Sequence, residues 1–195
     1  MHVDRPTATR WTRWVATFIG FPLAGVAARY VAGSIDSTTA GLLGGTVGGA
    51  VLGAVQATLG GLERCDWGRW ISATAAGFGV GLAAGSTAVG FETGVTQLVV
   101  MGAVTGFAVG LAQAAAIPMT WSARLAWAGA TPALWALGWL VTSQVIVDAD
   151  RHHAVFGSSG ALVVSLLAGA LHTARAPRPT AQPGIARSVA SVVTR

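Results

Sequence analysis

The chain has 195 residues, of which 53% are hydrophobic and only 10% charged, and its mean hydropathy is +0.62. Soluble domains usually carry about 25% charged residues, so this composition excludes an ordinary soluble domain and predicts several membrane-spanning helices. The formal net charge is +5 and all 12 basic side chains are arginines. Because the sequence has no basic helix face with interleaved aromatic residues, we expect no nucleic-acid partner.

Apolar runs separated by short polar breaks predict the fold class, an all-α integral membrane bundle of six transmembrane helices. The predicted helices cover residues 14–33, 38–61, 70–90, 95–117, 124–147 and 154–173. Residues 1–13 are expected to be a cytoplasmic N-terminal segment and 14–173 the six-helix transmembrane domain. Residues 174–195, rich in proline and arginine, are expected to be a flexible cytoplasmic tail.

The first apolar run also has features of a secretory signal peptide, because Val31, Ala32 and Gly33 offer a small-residue cleavage site. The run covers 20 residues, from 14 to 33, which is longer than a usual signal-peptide core. As a helix it spans about 30 Å, the thickness of the hydrocarbon layer. We therefore predict a first helix that is retained.

The arginines are distributed unequally between the two predicted membrane faces. Ten of the 12 lie on the face that holds both termini and the loops at 62–69 and 118–124, whereas Arg29 and Arg151 lie on the other. Positively charged loops favour the cytoplasmic side. The predicted location is therefore a bacterial inner membrane, with both termini cytoplasmic.

Three of these arginines stand beside a tryptophan at the start of an odd-numbered helix. Arginine and tryptophan are both common at the boundary between lipid and water. We interpret these side chains as interface anchors, namely Arg13, Trp14, Arg69, Trp70, Arg124 and Trp127.

Glycines recur every four residues along several of the predicted helices. Residues four apart share one face of a helix, and in a membrane a face of small residues lets two helix backbones approach closely. We therefore predict packing surfaces between helices at these positions. They are Gly41, Gly45, Gly49, Gly53, Gly77, Gly81, Gly85, Gly102, Gly106, Gly110 and Gly169.

The glycine rows belong to an internal repeat. In the second, fourth and sixth helices a row of small residues is followed, after three positions, by Gln56, Gln113 and His172, at spacings of 57 and 59 residues. The odd helices also share a start, because residues 11–14 and 67–70 both read Trp-x-Arg-Trp and residues 121–127 are a looser copy. A fixed period of this length predicts three pseudo-repeated helical hairpins in one orientation. The first and sixth helices would complete one copy between them if the bundle closes into a ring.

The glycine-rich stripes end in GAVQ at 53–56 and in GLAQ at 110–113. They resemble the stripes of uncharacterised bacterial polytopic membrane proteins, in which the motif reads Gly-x-x-Gln-Trp. The resemblance covers most of residues 41–173, although Ala57 and Ala114 occupy the position of that tryptophan and the third copy ends in a histidine. It implies the same helical architecture and no particular activity.

The best candidates for a functional site are Gln56, Gln113 and His172, which occupy equivalent positions beside the glycine rows. Two interpretations remain open. The three side chains form interhelical hydrogen bonds, each worth about 0.6 kcal/mol on average, or they form a polar ring around a path or a small ligand.

Metal and cofactor binding are not predicted. The loop residues Asp148, Asp150, His152 and His153 are suitable ligand types for a divalent metal, but neighbours in an exposed loop rarely converge on one ion without a scaffold. The single cysteine excludes a multi-cysteine metal site.

Two classes of function therefore remain. Because the sequence offers no nucleophile with a nearby base, we do not expect an enzyme. No Asp, Glu or Arg lies in the middle of a predicted span, which disfavours ion-coupled transport. We favour a non-enzymatic packing or assembly protein whose partners are the lipid bilayer and either further copies of itself or other membrane subunits. The alternative is a channel or facilitator for a small solute.

Overall fold

The computed structural model describes residues 5–145 and 153–174, and it describes the side chains of residues 8–145 and 153–171. Every regular element in these ranges is helical, as the composition predicts. Short 3-10 turns lie at Thr17–Ile19 and Arg64–Asp66. The α-helices are α1 (Arg5–Ala16), α2 (Gly20–Ala32), α3 (Thr38–Leu59), α4 (Trp67–Ala88), α5 (Val95–Ala116), α6 (Trp121–Val145) and α7 (Ser158–Ala174).

Four helical segments are long and apolar enough to cross a membrane. They are Ala8–Ala32, Thr38–Leu59, Val95–Ala116 and Trp121–Val145. Helix α4 has 22 residues, but its glycines and hydroxyl side chains lower its hydropathy, and the apolar part of α7, Ser158–Leu171, is shorter than a span. A helical protein with several apolar helices is confirmed, and a bundle of six spans stays a prediction.

The first segment consists of α1 and α2, which are joined by the 3-10 turn at Thr17–Ile19. Pro22 lies in the first turn of α2. Proline has no backbone N–H, and its ring displaces the carbonyl four residues before it, which here belongs to Phe18 in the 3-10 turn. The chain therefore changes from α-helical to 3-10 geometry at this point and remains helical on both sides of the turn.

The first segment differs from α4 and α6 in the spacing of its tryptophan and threonine. Tryptophan and threonine are four residues apart in α4 (Trp70, Thr74) and in α6, but only three apart in the first segment (Trp14, Thr17). Trp14 still lies in α1, and Thr17 is the first residue of the 3-10 turn, so the shorter spacing coincides with the change of helix type.

The six helical segments form a closed ring. Each segment packs against the next one along the chain, and α7 packs against both α6 and α1. The start of α1 and the connections after α3 and α5 meet at one end of the ring, which we call the arginine end because it carries Arg10, Arg13 and Arg124. Residues near 35, 91–93 and 153 meet at the other end.

The glycine row of α3 lies directly against the backbone of α4. A Cβ atom added to Gly49 would lie 2.6 Å from the carbonyl oxygen of Thr74, and one added to Gly45 would lie 2.7 Å from that of Phe78. Side-chain carbons almost never approach backbone atoms so closely. Only glycine at these positions permits the observed separation of α3 and α4.

The same contact recurs around the ring, because each glycine row faces the next helix in the chain. A Cβ on Gly81 of α4 would lie 2.8 Å from the Cα of Thr105, and one on Gly106 of α5 would lie 2.7 Å from the carbonyl oxygen of Thr131. At Gly169 the nearest atoms belong to a side chain, the indole of Trp11, at 3.2 Å. A backbone atom of the following helix lies within 3.3 Å of the added Cβ at Gly41, Gly45, Gly49, Gly53, Gly77, Gly81, Gly85, Gly102, Gly106 and Gly110.

These contacts predict that substitution by alanine destabilises the protein at some glycines and not at others. Gly49→Ala and Gly106→Ala should each lower the free energy of unfolding by about 1–3 kcal/mol, because a methyl group must displace backbone. Gly129→Ala is the matched control, since Gly129 is exposed on α6 and its Cβ would meet no atom within 4 Å. Alanine there should be neutral or should stabilise the helix by up to about 1 kcal/mol.

The measurement is the thermal unfolding of the three variants in detergent. Equal unfolding temperatures for Gly49→Ala, Gly106→Ala and Gly129→Ala would contradict the role assigned to the glycine rows.

Candidate functional site

Three tryptophans from different segments meet on the axis of the ring. The ring centroids of Trp14 and Trp70 are 6.3 Å apart, those of Trp14 and Trp127 are 5.6 Å apart, and those of Trp70 and Trp127 are 6.2 Å apart. Trp14 contacts the other two edge to face, the arrangement that aromatic quadrupoles favour. All three are between 1% and 4% exposed. We call this group the tryptophan triangle.

Trp14, Trp70 and Trp127, which the sequence predicts as interface anchors, are buried against one another, and their role at a membrane boundary stays a prediction. Their indoles point to the axis and not to the outer surface of the ring, because the large side chains of the odd segments fill the space between the segments. The neighbouring arginines stay near the surface: Arg13 is exposed and its Nε donates to the carbonyl of Leu59 at 3.2 Å. Arg69 is likewise exposed.

Two of the three predicted polar residues bond directly to each other. The Oε1 atom of Gln56 accepts hydrogen bonds from Gln113 Nε2 and from Trp70 Nε1, both at 3.1 Å. Gln113 Nε2 also donates to Thr74 Oγ1 at 3.0 Å, and Gln113 Oε1 accepts from Trp127 Nε1 at 3.0 Å. Both glutamines are buried. They therefore link α3, α4, α5 and α6 through one polar network.

The network repeats with the period of the sequence. Gln56 and Trp70 are 14 residues apart, as are Gln113 and Trp127, and each pair makes the same hydrogen bond from indole to amide oxygen. The third predicted member, His172, lies in α7, and its side chain lies outside the described residues.

A layer of threonines lies beside the network. The hydroxyls of Thr17, Thr74 and Thr131 donate to backbone carbonyls of the triangle residues Trp14, Trp70 and Trp127, at 2.7, 2.8 and 2.7 Å. A second aromatic layer follows along the axis. Phe21 and Phe78 both contact Trp135, with centroids 6.0 and 5.1 Å away.

A small cavity lies on the inner side of the tryptophan triangle. Its volume is about 20 Å³, and its lining includes Gln56, Gln113 and Ser165. The Ser165 hydroxyl is buried, and among the described residues it has no hydrogen-bond partner. A cavity of this size holds about one water molecule. Among the described residues, the cavity beside the two glutamines is therefore too small for an organic ligand.

A much larger cavity lies on the outer side of the triangle, at the arginine end. Its volume of about 530 Å³ is within the usual range for ligand sites, roughly 300–1,000 Å³. We call it the vestibule. It is lined by Arg10, Arg13, Trp14, Gly60, Gly61, Leu62, Trp70, Ile117, Pro118, Met119, Thr120, Ala123 and Trp127. Sequence reasoning missed it because its walls come from four separate stretches of the chain.

The loop at 148–153 carries the four side chains of suitable metal-ligand type. Asp148, Asp150 and His152 lie outside the described residues, and His153 lies near Glu92 at the end opposite the arginine end. Elsewhere, Glu63, Cys65 and Asp66 place one ligand atom each within 4.8 Å of one another on the second 3-10 turn. The first two are exposed and Asp66 is half-buried, as is common for solvated acidic groups.

Comparison of the chain with protein-family models, with curated protein sequences and with solved structures gave no match. The function must therefore be inferred from the geometry of the axis and of the vestibule.

The hydrogen bond between the glutamines predicts an energetic coupling. In a double-mutant cycle of Gln56→Leu and Gln113→Leu, the two changes should be non-additive by about 0.5–2 kcal/mol, because each single variant already leaves the shared bond broken. The measurement is reversible unfolding in mixed micelles, monitored by tryptophan fluorescence.

The matched control is a cycle of Gln113→Leu with Gln97→Leu. Gln97 lies near the start of the same helix and bonds to Glu92. This pair should be additive within about 0.5 kcal/mol. Additivity of Gln56→Leu and Gln113→Leu to the same degree would contradict the proposed network.

Proposed function

We propose that this protein is a non-enzymatic packing or assembly protein of a bacterial inner membrane. All six helical segments cross the bilayer, both termini are cytoplasmic, and the protein serves as a small subunit of a membrane complex or associates with itself. The observation that carries this proposal is the closed axis. On the inner side of the tryptophan triangle, the described tryptophans, glutamines and threonines pack against one another around a cavity of about 20 Å³.

The outward surface of the ring supports a membrane location. Large apolar side chains are exposed on every segment, and such a surface is unfavourable in water but not in lipid. Burying them requires either acyl chains or further membrane subunits. Examples are Leu23, Val26, Leu43, Val80, Phe107, Leu111, Leu125, Leu140 and Leu162.

The chemistry of the axis is consistent with a non-enzymatic role. The polar groups described there are amides, hydroxyls and indoles, on Gln56, Gln113, Thr17 and the triangle. None of these groups is a general base near neutral pH. Their hydrogen bonds instead hold neighbouring helices together.

A facilitator for a small solute is the second candidate, and one observation favours it. The vestibule and the small inner cavity both contact Trp14 and Trp127, so the triangle is a thin partition between them. Displacement of one indole would join the two spaces. In this alternative the structure is a closed state, and Gln56, Gln113 and His172 line the path.

The single cysteine allows a direct test of the orientation. Cys65 is exposed at the arginine end, so a membrane-impermeant maleimide should label it in inverted membrane vesicles but not in intact cells. The matched control is Glu92→Cys in a Cys65→Ser background, which places the thiol at the other end and should reverse the pattern. Labelling of Cys65 in intact cells would contradict cytoplasmic termini.

Flux into liposomes distinguishes the two candidates. Purified protein and a Gln56→Leu/Gln113→Leu/His172→Leu variant are compared with empty liposomes, for ions and for small neutral solutes. Protein that is folded and inserted should give no flux above empty liposomes if it is a packing protein. Flux that the triple variant abolishes would overturn this proposal in favour of the facilitator.

A further inference from the structure

We propose that the vestibule binds an organic anion that has an apolar body, with Arg10 and Arg13 holding the anionic group and the tryptophan triangle receiving the body. This binding site goes beyond the packing function proposed above and does not depend on whether the protein conducts a solute.

The charge at the vestibule is not balanced by its lining. Arg10 and Arg13 are three residues apart on α1, so they share one face of the helix, and both line the cavity. Among the described residues, no acidic side chain lines the vestibule. Two guanidinium groups in such surroundings repel cations and attract carboxylates or phosphates.

One of these guanidinium groups is held in place. The Nε atom of Arg13 donates to the carbonyl of Leu59, and the guanidinium carbon would lie 3.3 Å from a Cβ on Gly61. The hydrogen bond uses one of the five donors of the side chain, and the Nη atoms make no hydrogen bond among the described residues. Arg13 is therefore positioned to donate further hydrogen bonds to an anion.

The remaining surface favours an apolar body. The floor is made of the indoles of Trp14, Trp70 and Trp127, and the walls include Leu62 and the stretch 117–119, which reads Ile-Pro-Met. An inorganic anion would leave most of the 530 Å³ without contacts. An anion with an aromatic or alkyl body fills this volume and stacks on or packs against the indoles.

Two sources supply this chemistry. One is the phosphate and upper acyl chains of an anionic lipid, because the vestibule lies at the end of the bundle that is predicted to meet the membrane surface. The other is a soluble organic phosphate or carboxylate from the cytoplasm. Both present an anionic group on an apolar body, and they differ in whether the ligand is part of the bilayer.

The test is calorimetric titration of the purified full chain, in a neutral detergent, with naphthyl phosphate. Inorganic phosphate lacks the apolar body and naphthol lacks the charge, so each should bind at least about tenfold more weakly. Equal binding of naphthol would overturn the role of the arginines. Equal binding of inorganic phosphate would overturn the role of the tryptophan floor.

Two variants change the site in different ways. Arg10→Gln/Arg13→Gln removes the charge and should weaken the binding of naphthyl phosphate at least about tenfold. Ala123→Phe keeps both charges and fills the vestibule, because Ala123 lines it, and should also weaken binding. Arg69→Gln is the matched control, since Arg69 is exposed and does not line the vestibule.

The controls keep the proposal falsifiable. Thermal unfolding of each variant separates a lost site from a lost fold. Loss of binding in Arg69→Gln as large as in the double variant, or unchanged binding in a folded Ala123→Phe, would overturn the proposal.

A titration in lipid nanodiscs distinguishes an anionic lipid from a soluble anion as the ligand. Naphthyl phosphate is titrated into the protein in nanodiscs of phosphatidylcholine alone and in nanodiscs that contain phosphatidylglycerol. Displacement by phosphatidylglycerol supports the site with a lipid as its ligand. Equal binding in both supports the site with a soluble anion, and no binding in either overturns it.

Discussion

Glycine rows bring the backbones of neighbouring helices into direct contact from α3 to α6, and the larger features of the bundle follow from that short distance. At Gly49 and Gly106 the facing atoms are backbone carbonyls, so the helix separation is set by main-chain contact. With the helices this close, the ring encloses a narrow axis. Large side chains of the odd segments, such as Trp14 and Phe78, fill most of its inner part and are themselves buried.

Buried polar groups such as the two glutamine amides need hydrogen-bond partners within the protein, because burial removes them from water. The indole N–H groups of Trp70 and Trp127 each reach an amide oxygen on the preceding even helix. The amide of Gln113 joins the two copies by donating to Gln56. The polar residues therefore hold neighbouring helices together, and the same hydrogen bond from indole to amide oxygen occurs in two copies of the repeat.

The tryptophan triangle divides the axis into two parts with different chemistry. Toward the middle of the bundle the space beside Ser165 has room for about one water molecule. Toward the arginine end the vestibule is large, apolar at its floor and positively charged at Arg10 and Arg13. The proposed packing function relates to the first part and the proposed anion site to the second.

The helical class, most helix ends to within a few residues and the excess of arginine at one end follow from the sequence, because hydropathy and arginine placement are local properties of the chain. The start of the first helix is an exception, since α1 begins at Arg5 and not at residue 14. The spacing of Gly45, Gly49 and Gln56 also indicates a repeated packing face. The burial of Trp14, Trp70 and Trp127 was not predictable, since a tryptophan beside an arginine also suits the membrane interface. Tertiary packing decided it, because the closed ring brings three indoles that are distant in sequence onto one axis. The vestibule likewise exists only in the assembled ring, because its walls are separate in sequence and become neighbours through packing.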